Sequence, residues 1–359
     1  MSTIDCLNLA ILDSGTKDAL AVYARFGDDT AFVLASPTVL SELIAIRNRF
    51  EQSVNGESSA LTEDEVRNDG EKLFNTIVRD GVAELYDLVP KNTPIRILIA
   101  SNHDILQGLP WEIMRQRNSV GAPDPNRVVV RVVPTVGIRA PAPLPRGQRL
   151  RVLFAVAEPI ELAATDWNDT YVLLQQTFGN RVDSTKVDLS FIRTTTRDGL
   201  FQELTARRYD VFHFYGHGEI VKGIGNLALV ADGQKSVKGS TDYASAPDLA
   251  LVLAGTGVRL VILSACNSAL GQFQNDFSVL SKALIKAGVP AVVANQSRVS
   301  VRTVAPFAGA LYETLLKSGD IDDAVANARG RLKFTAHYSA ADWAIPVLYR
   351  HISAPLVFG

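Results

Sequence analysis

The chain has 359 residues, of which 47% are hydrophobic, and its formal net charge is −2. This length suggests two domains or one large α/β domain with an extension, and the balanced charge gives no argument for a nucleic-acid or membrane partner. The two cysteines, Cys6 and Cys266, do not form a disulfide framework and fit a reducing compartment, so we expect a cytoplasmic protein. Neither a basic leader nor an uncharged apolar run of about 18 residues occurs, so no export signal or membrane span is expected.

Residues 1–138 are predicted to form a smaller α/β domain. Three apolar or alternating segments between turn residues predict a β-meander: 4–12, 19–26 and 30–35. Thr62 followed by Glu65 is a capping-box pattern, and it predicts a helix that reaches about Leu88. A preceding helix, two strands and a helix that starts at Pro110 complete the domain: 37–52, 95–100, 128–133 and 110–114.

A Pro-rich basic segment, residues 139–149, is predicted to link this domain to a second one at 150–359. In the second domain, strands alternate with helices, which is the order of a parallel sheet with right-handed crossovers. We therefore predict an α/β fold in which helices flank a mostly parallel sheet.

Two apolar strands of this domain end in a reactive side chain. Residues 211–218 (VFHFYGHG) place His217 between two glycines, and residues 260–269 (LVILSACNSA) place Cys266 after an aliphatic run. Functional residues of open parallel sheets lie at the carboxyl ends of strands, so both side chains are predicted on loops at neighbouring strand tips. A nearby imidazole lowers the pKa of a thiol and activates it as a nucleophile. The backbone N–H groups of Gly218 and Cys266 are candidate donors to an oxyanion.

Each of these residues also has a structural interpretation. His217 could be an ordinary loop histidine and Cys266 an inert buried thiol, since buried cysteine is common. His213 and His217 could form a metal pair, but no further ligand has zinc spacing, and a core position is favoured for His213. We expect no metal and no organic cofactor.

The chain resembles the caspase-like cysteine peptidases and, within them, the CHAT domains of many bacterial proteins. In that family one strand ends in His-Gly and a later one in Ala-Cys, and here His217 precedes Cys266 by 49 positions. Four other segments resemble the family's blocks in the right order: GLPWEIM, NLALVADG, KAGVPAVVAN and DWAIPVLY. Residues 1–138 also resemble, by analogy, the degenerate caspase-like half that precedes active domains in some relatives.

The resemblance implies a regulated cysteine endopeptidase that cleaves one or a few protein substrates in a bacterial defence or cell-death pathway. Cys266 would be the nucleophile and His217 the base. The rival interpretation is a non-catalytic caspase fold that serves as an interaction scaffold. Faster alkylation of Cys266 than of Cys6 at pH 7 would argue for the enzyme.

The substrate pocket departs from the family pattern. In relatives that cleave after basic residues, Asp often lies two positions before the nucleophile, whereas this chain has Ser264. We expect a neutral or basic residue rather than aspartate at P1, the substrate residue before the cleaved bond. The candidate pocket residues are Ser264, Asn267, Asp232, Asp242 and Asp276.

Two segments near the predicted strand tips are candidates for an activation switch: 219–246 and 273–277. The first is rich in glycine and lysine, so it is predicted to be mobile until a protein activator orders it or an activating protease cuts it. The alternative is an ordinary surface hairpin around Asp232-Gly233.

Overall fold

The computed structural model contains two compact units, Met1–Val132 with Arg329–Val347, and Val133–Ala328 with Leu348–Gly359. The predicted linker at 139–149 and the domain division on either side of it stay predictions. The described residues are 5–13, 20–35, 38–91, 93–101, 104–117, 119, 123–135, 137, 141–181, 184–232, 241–265, 276–297, 301–335, 340–352 and 357–359.

The first unit has a mixed sheet in the order β5-β4-β1-β2-β3. The predicted meander is confirmed because β1, β2 and β3 pair antiparallel, while β4 lies parallel to both β1 and β5. The strands are β1 (Asp5–Asp13), β2 (Leu20–Phe26), β3 (Asp29–Ala35), β4 (Ile95–Ser101) and β5 (Arg127–Val132). The helices are α1 (Thr38–Val54), α2 (Glu63–Ile77), α3 (Asp80–Asp87) and α4 (Asp104–Gln107).

Two helix predictions in this unit need correction. The capping box of α2 is confirmed, since the Thr62 hydroxyl accepts from the Glu65 N–H at 3.3 Å and the Glu65 carboxylate accepts from the Thr62 N–H at 2.8 Å. The helix does not continue to Leu88, however, because the chain turns after Ile77 and Asp80 takes a positive φ of 48°. The helix predicted at Pro110 is only a single 3₁₀ turn, Trp111–Ile113.

The second unit has a parallel sheet, as predicted, and its strand order is β7-β6-β8-β11-β12. Its central strands are continuous buried apolar runs, which is typical of a parallel sheet covered on both faces. The strands after residue 132 are β6 (Leu150–Val156), β7 (Val187–Ile192), β8 (Val211–Val221), β9 (Ile224–Val230), β10 (Thr241–Ser245), β11 (Leu260–Ala265), β12 (Ala291–Asn295) and β13 (Pro346–Arg350). The helices are α5 (Trp167–Gln176), α6 (Arg197–Ala206), α7 (Ala246–Ala254), α8 (Asp276–Lys286), α9 (Val301–Ser318) and α10 (Ile321–Thr335).

Strand β8 is longer than predicted and belongs to two sheets. Its first half lies between β6 and β11, and from His217 onward it pairs antiparallel with β9. Lys222 and Gly223 both have positive φ, 53° and 77°, and form the tight turn of this hairpin. His217 therefore lies within a strand and not on a loop, because the flanking glycines do not end β8.

This hairpin also corrects the predicted mobility of residues 219–246. Strand β10 pairs with β9, and the side chains of Leu227, Ala228 and Leu229 are buried. The described parts of the segment, residues 219–232 and 241–246, are therefore ordered by strand pairing and by apolar burial. Residues 233–240 lie outside the described part of the chain, as do residues 273–275. Among the described helices, none has the length and apolarity needed to cross a bilayer.

Candidate active site

His217 lies at the point where β8 passes from the parallel sheet into the hairpin. Its side chain is only 4% exposed, and its Nε2 lies 2.8 Å from the backbone oxygen of Ala163. A carbonyl oxygen can only accept, so Nε2 carries the proton and donates it. In the neutral ring, Nδ1 then holds the lone pair that a general base needs.

The Ala163 carbonyl belongs to a loop that links β6 to α5. The Ala157 N–H donates to the Tyr215 carbonyl at 3.0 Å, which places the start of this loop beside the end of the parallel part of β8. Gly216 makes this approach possible, since a Cβ there would lie 2.9 Å from the Ala157 oxygen and 2.7 Å from the Phe214 ring. Sequence reasoning missed Ala163 because it contributes a backbone atom, which no residue type signals.

Cys266 and Asn267 lie outside the described residues. Strand β11 is described as far as Ala265, and in the parallel register Ala265 is the partner of Gly216. Ala265 directly precedes Cys266 in the chain, and Gly216 directly precedes His217. Gly218 is buried and faces Leu227 of β9, and the role of its N–H in an oxyanion site stays a prediction.

Ser264 lies in the interior of the second unit. Its hydroxyl is 2.9 Å from Nε2 of His213, whose Nδ1 lies 3.3 Å from the Tyr312 hydroxyl. Burial lowers the pKa of His213 to about 3, so this ring is neutral near pH 7. The predicted core position of His213 is confirmed by its complete burial. The Ser264 hydroxyl is thus engaged inside the unit, and its role in a substrate pocket stays a prediction.

The predicted acidic pocket residues Asp232 and Asp242 are both tied to α6. Asp242 forms an ion pair with Arg197 at 3.1 Å, and the Asp232 carboxylate accepts the Asp198 N–H at 3.1 Å. Successive strand residues point to opposite faces, and Tyr243 is in register with Ala228, the partner of His217. Asp242 therefore lies on the face of the hairpin opposite to His217. Asp276 is the first residue of α8, and its side chain is outside the described part.

Other polar groups, which sequence reasoning missed, share the His217 face of the hairpin. Glu219 lies two residues further along β8, and Tyr243 lies across the sheet. Burial raises the pKa of Tyr243 to about 12, helped by its hydrogen bond to Glu219 and by the charges of Glu219 and Glu161. Glu161 in turn accepts from the Thr241 N–H at 3.0 Å and from the Thr241 hydroxyl at 2.6 Å. The alternation of side chains along β8 is the signal that points to Glu219.

A cavity of about 410 Å³ lies on the opposite face of the hairpin, between α6 and α7. It is lined mainly by apolar side chains, among them Leu200, Phe201, Leu229, Leu249 and Val252. This face carries Asp232 and Asp242 and not His217. Within the described residues, no group of three or more His, Cys, Asp or Glu side chains could hold a metal ion.

This architecture defines a caspase-like α/β protein. The chain is similar to a chain of a crystal structure of the Saccharomyces cerevisiae separase–securin complex, with a TM-score of 0.51 and 11% identity. The match covers 99% of this chain and 30% of the other, and it confirms the predicted fold. The family model of the CHAT domain matches residues 67–351, well over half of the chain. The protein therefore belongs to the CHAT domain family, which is related to the caspase-like cysteine peptidases. Curated protein sequences gave no match.

Proposed function

We propose that the protein is a cysteine endopeptidase in which Cys266 is the nucleophile and His217 the general base. The hydrogen bond from His217 Nε2 to the Ala163 carbonyl carries the proposal. It fixes the tautomer whose Nδ1 can take a proton from a thiol.

The reaction has two stages. Nδ1 of His217 takes the thiol proton, and the sulfur of Cys266 attacks the carbonyl carbon of the scissile peptide bond. The N–H groups of Gly218 and Cys266 would donate to the oxyanion that forms. The imidazolium then gives its proton to the leaving amine as the C–N bond breaks. Water hydrolyses the remaining thioester, and the free thiol and the neutral imidazole are restored.

Strand register and family membership support this pairing of residues. The chain neighbours Gly216 and Ala265 are partners in the parallel sheet. The family match covers both His217 and Cys266. We therefore assign the family's His-Gly and Ala-Cys pattern to these two positions. The same membership suggests protein substrates, a protein activator or activating protease, and a role in bacterial defence or cell death in the cytoplasm.

The His217 face of the hairpin supports a neutral or basic P1 residue. Glu161 and Glu219 place carboxylates on this face and would repel an aspartate side chain. Asp242 would not contribute, since Arg197 neutralises it on the other face. Glu219 therefore replaces Asp242 as the acidic candidate for the pocket that receives the P1 side chain.

Cleavage of a peptide library by purified protein tests the proposal. The Cys266→Ala variant should lose cleavage altogether, and His217→Ala should lower kcat by about 10²–10⁴-fold, while both fold normally. The double variant should be no worse than Cys266→Ala, because residues that act as a unit are not additive. Full cleavage by Cys266→Ala would contradict the role of Cys266 as nucleophile. No cleavage by the parent, together with equal alkylation of Cys6 and Cys266, would favour a non-catalytic scaffold.

A further inference from the structure

We propose that Glu158 is a positioning residue for the base, because its carboxylate closes the loop that presents the Ala163 carbonyl to His217. We call residues 157–167 the base-orienting loop. This inference rests on the proposed peptidase function, since it concerns the same site. It adds a residue to which neither the family pattern nor the sequence analysis assigns a role.

The Glu158 carboxylate joins the two ends of the base-orienting loop. One oxygen accepts from the Thr165 N–H at 2.9 Å and from the Thr165 hydroxyl at 3.0 Å. The other accepts from Nε1 of Trp167 at 3.0 Å. Hydrogen bonds to an ionised acceptor are about twice as strong as neutral ones. Ala163 lies between Glu158 and Thr165 and is therefore held inside this closed ring.

The far end of the ring is well anchored. The Trp167 indole lies against the Phe191 ring of β7 at 5.3 Å between centroids, and the Arg193 guanidinium lies 5.8 Å above the indole. The near end is fixed by the hydrogen bond from Ala157 to Tyr215. Both ends of the loop are thus attached to strands of the parallel sheet.

Apolar packing holds only part of the middle of this loop, because Pro159 is buried but most of the residues after it are exposed. Ile160 is 64% exposed, and Ala163 and Ala164 are also exposed. The internal bond from the Leu162 N–H to the Pro159 carbonyl, at 3.0 Å, shapes a turn but does not connect it to His217. The position of the Ala163 carbonyl therefore depends on polar contacts, those of Glu158 within the loop and those of Glu161 with Thr241. A displacement of about 1 Å near a reacting group can cost about 100-fold in rate.

Glu158→Gln tests this role without a change in size. The three groups that face the carboxylate can all donate, so the amide nitrogen of glutamine would meet a donor. We expect kcat to fall about 10–100-fold with little change in KM, as for other groups that orient a functional side chain. Glu158→Asp, which keeps the charge, should restore part of the rate. Asp169→Asn removes an exposed carboxylate two residues beyond Trp167 and is the matched control.

A second measurement does not depend on a substrate. The ¹⁵N shifts of the His217 ring, recorded at pH 8.5 in Cys266→Ala protein, report which nitrogen carries the proton. We expect the Nε2–H tautomer in Cys266→Ala protein and a mixture of tautomers after the further change Glu158→Gln. The Asp169→Asn control should keep the single tautomer and should also leave thermal unfolding unchanged.

The outcomes separate the two proposals. A wild-type kcat together with an unchanged single tautomer in Glu158→Gln would overturn the role of Glu158 and leave the peptidase proposal intact. If Cys266→Ala cleaves as well as the parent, the peptidase proposal fails, and the tautomer comparison alone then decides whether Glu158 orients His217.

Discussion

The two ends of the parallel strands in the second unit are built from different chemistry. At the amino ends, the buried carboxylate of Asp210, just before β8, forms ion pairs with Arg151 of β6 at 2.8 Å and with Arg259 beside β11 at 2.9 Å. It also accepts the backbone N–H of Arg151 at 3.0 Å. Three neighbouring strands are thus fastened by one fully ionised cluster.

At the carboxyl ends, the corresponding polar contact is a hydrogen bond to a backbone oxygen. His217 donates to a backbone carbonyl of a largely exposed loop. The contact at the amino ends joins ion-pair partners, whereas the contact at the carboxyl ends joins a histidine ring to a backbone oxygen. Under the proposed function, the difference teaches that this sheet places its ion-paired cluster and its reactive residues at opposite ends of the same strands.

Asp210→Ala should disrupt the ion-pair cluster at the amino ends of the strands, and we expect it to have the largest effect on stability of the substitutions considered. Removal of this carboxylate leaves two arginines without their shared partner, and we expect a loss of about 3 kcal/mol in the free energy of unfolding. Urea unfolding measures this loss, with Asp169→Asn as the control. Cleavage per folded molecule should stay unchanged, and a selective loss of cleavage at full stability would contradict the separation.

His213 lies between the two ends and should make stability depend on pH. Its pKa in the folded protein, about 3, is below the ordinary value of 6.5, so the unfolded chain binds more protons between these values. Stability should therefore fall as the pH drops through this window, by up to about 1.4 kcal/mol per pH unit from this residue. His213→Gln should show a shallower decline in urea unfolding at pH 4–6.5. An identical decline in both proteins would refute this assignment.

Glu219→Gln tests the proposed P1 preference and should have the smallest effect of these substitutions. Loss of this carboxylate should lower kcat/KM for peptides with lysine or arginine at P1 by about twofold to fivefold, since exposed charge pairs contribute about 1 kcal/mol or less. Peptides with a neutral P1 residue should be unaffected. Profiling with a peptide library provides the measurement, and a dominant preference of the parent for P1 aspartate would contradict it.

The sequence predicted the parallel sheet well, because strands such as residues 260–265 are short aliphatic runs between helices. It misplaced His217 on a loop because glycines on both sides resemble a strand end, whereas Gly216 serves the close approach of Ala157. The Lys222-Gly223 turn was present in the sequence and would have indicated the hairpin.

The contacts around His217 were less predictable. Ala163 acts through its carbonyl, so its side chain carries no information about that role. The pairing of Glu158 with Trp167 depends on the path of a loop, which residue types alone do not determine. Asp242 was a reasonable pocket candidate until the strand register placed it on the opposite face.

The rate at which Cys266 is alkylated tests the central claim most directly, because it needs no knowledge of the substrate. In a Cys6→Ser background Cys266 is the remaining cysteine, and its reaction with iodoacetamide at pH 7 reports the thiolate fraction. We predict alkylation well above that of an ordinary thiol, and a fall of about tenfold or more when His217 is replaced by alanine. Equal rates with and without His217 would contradict the proposal that this imidazole activates Cys266.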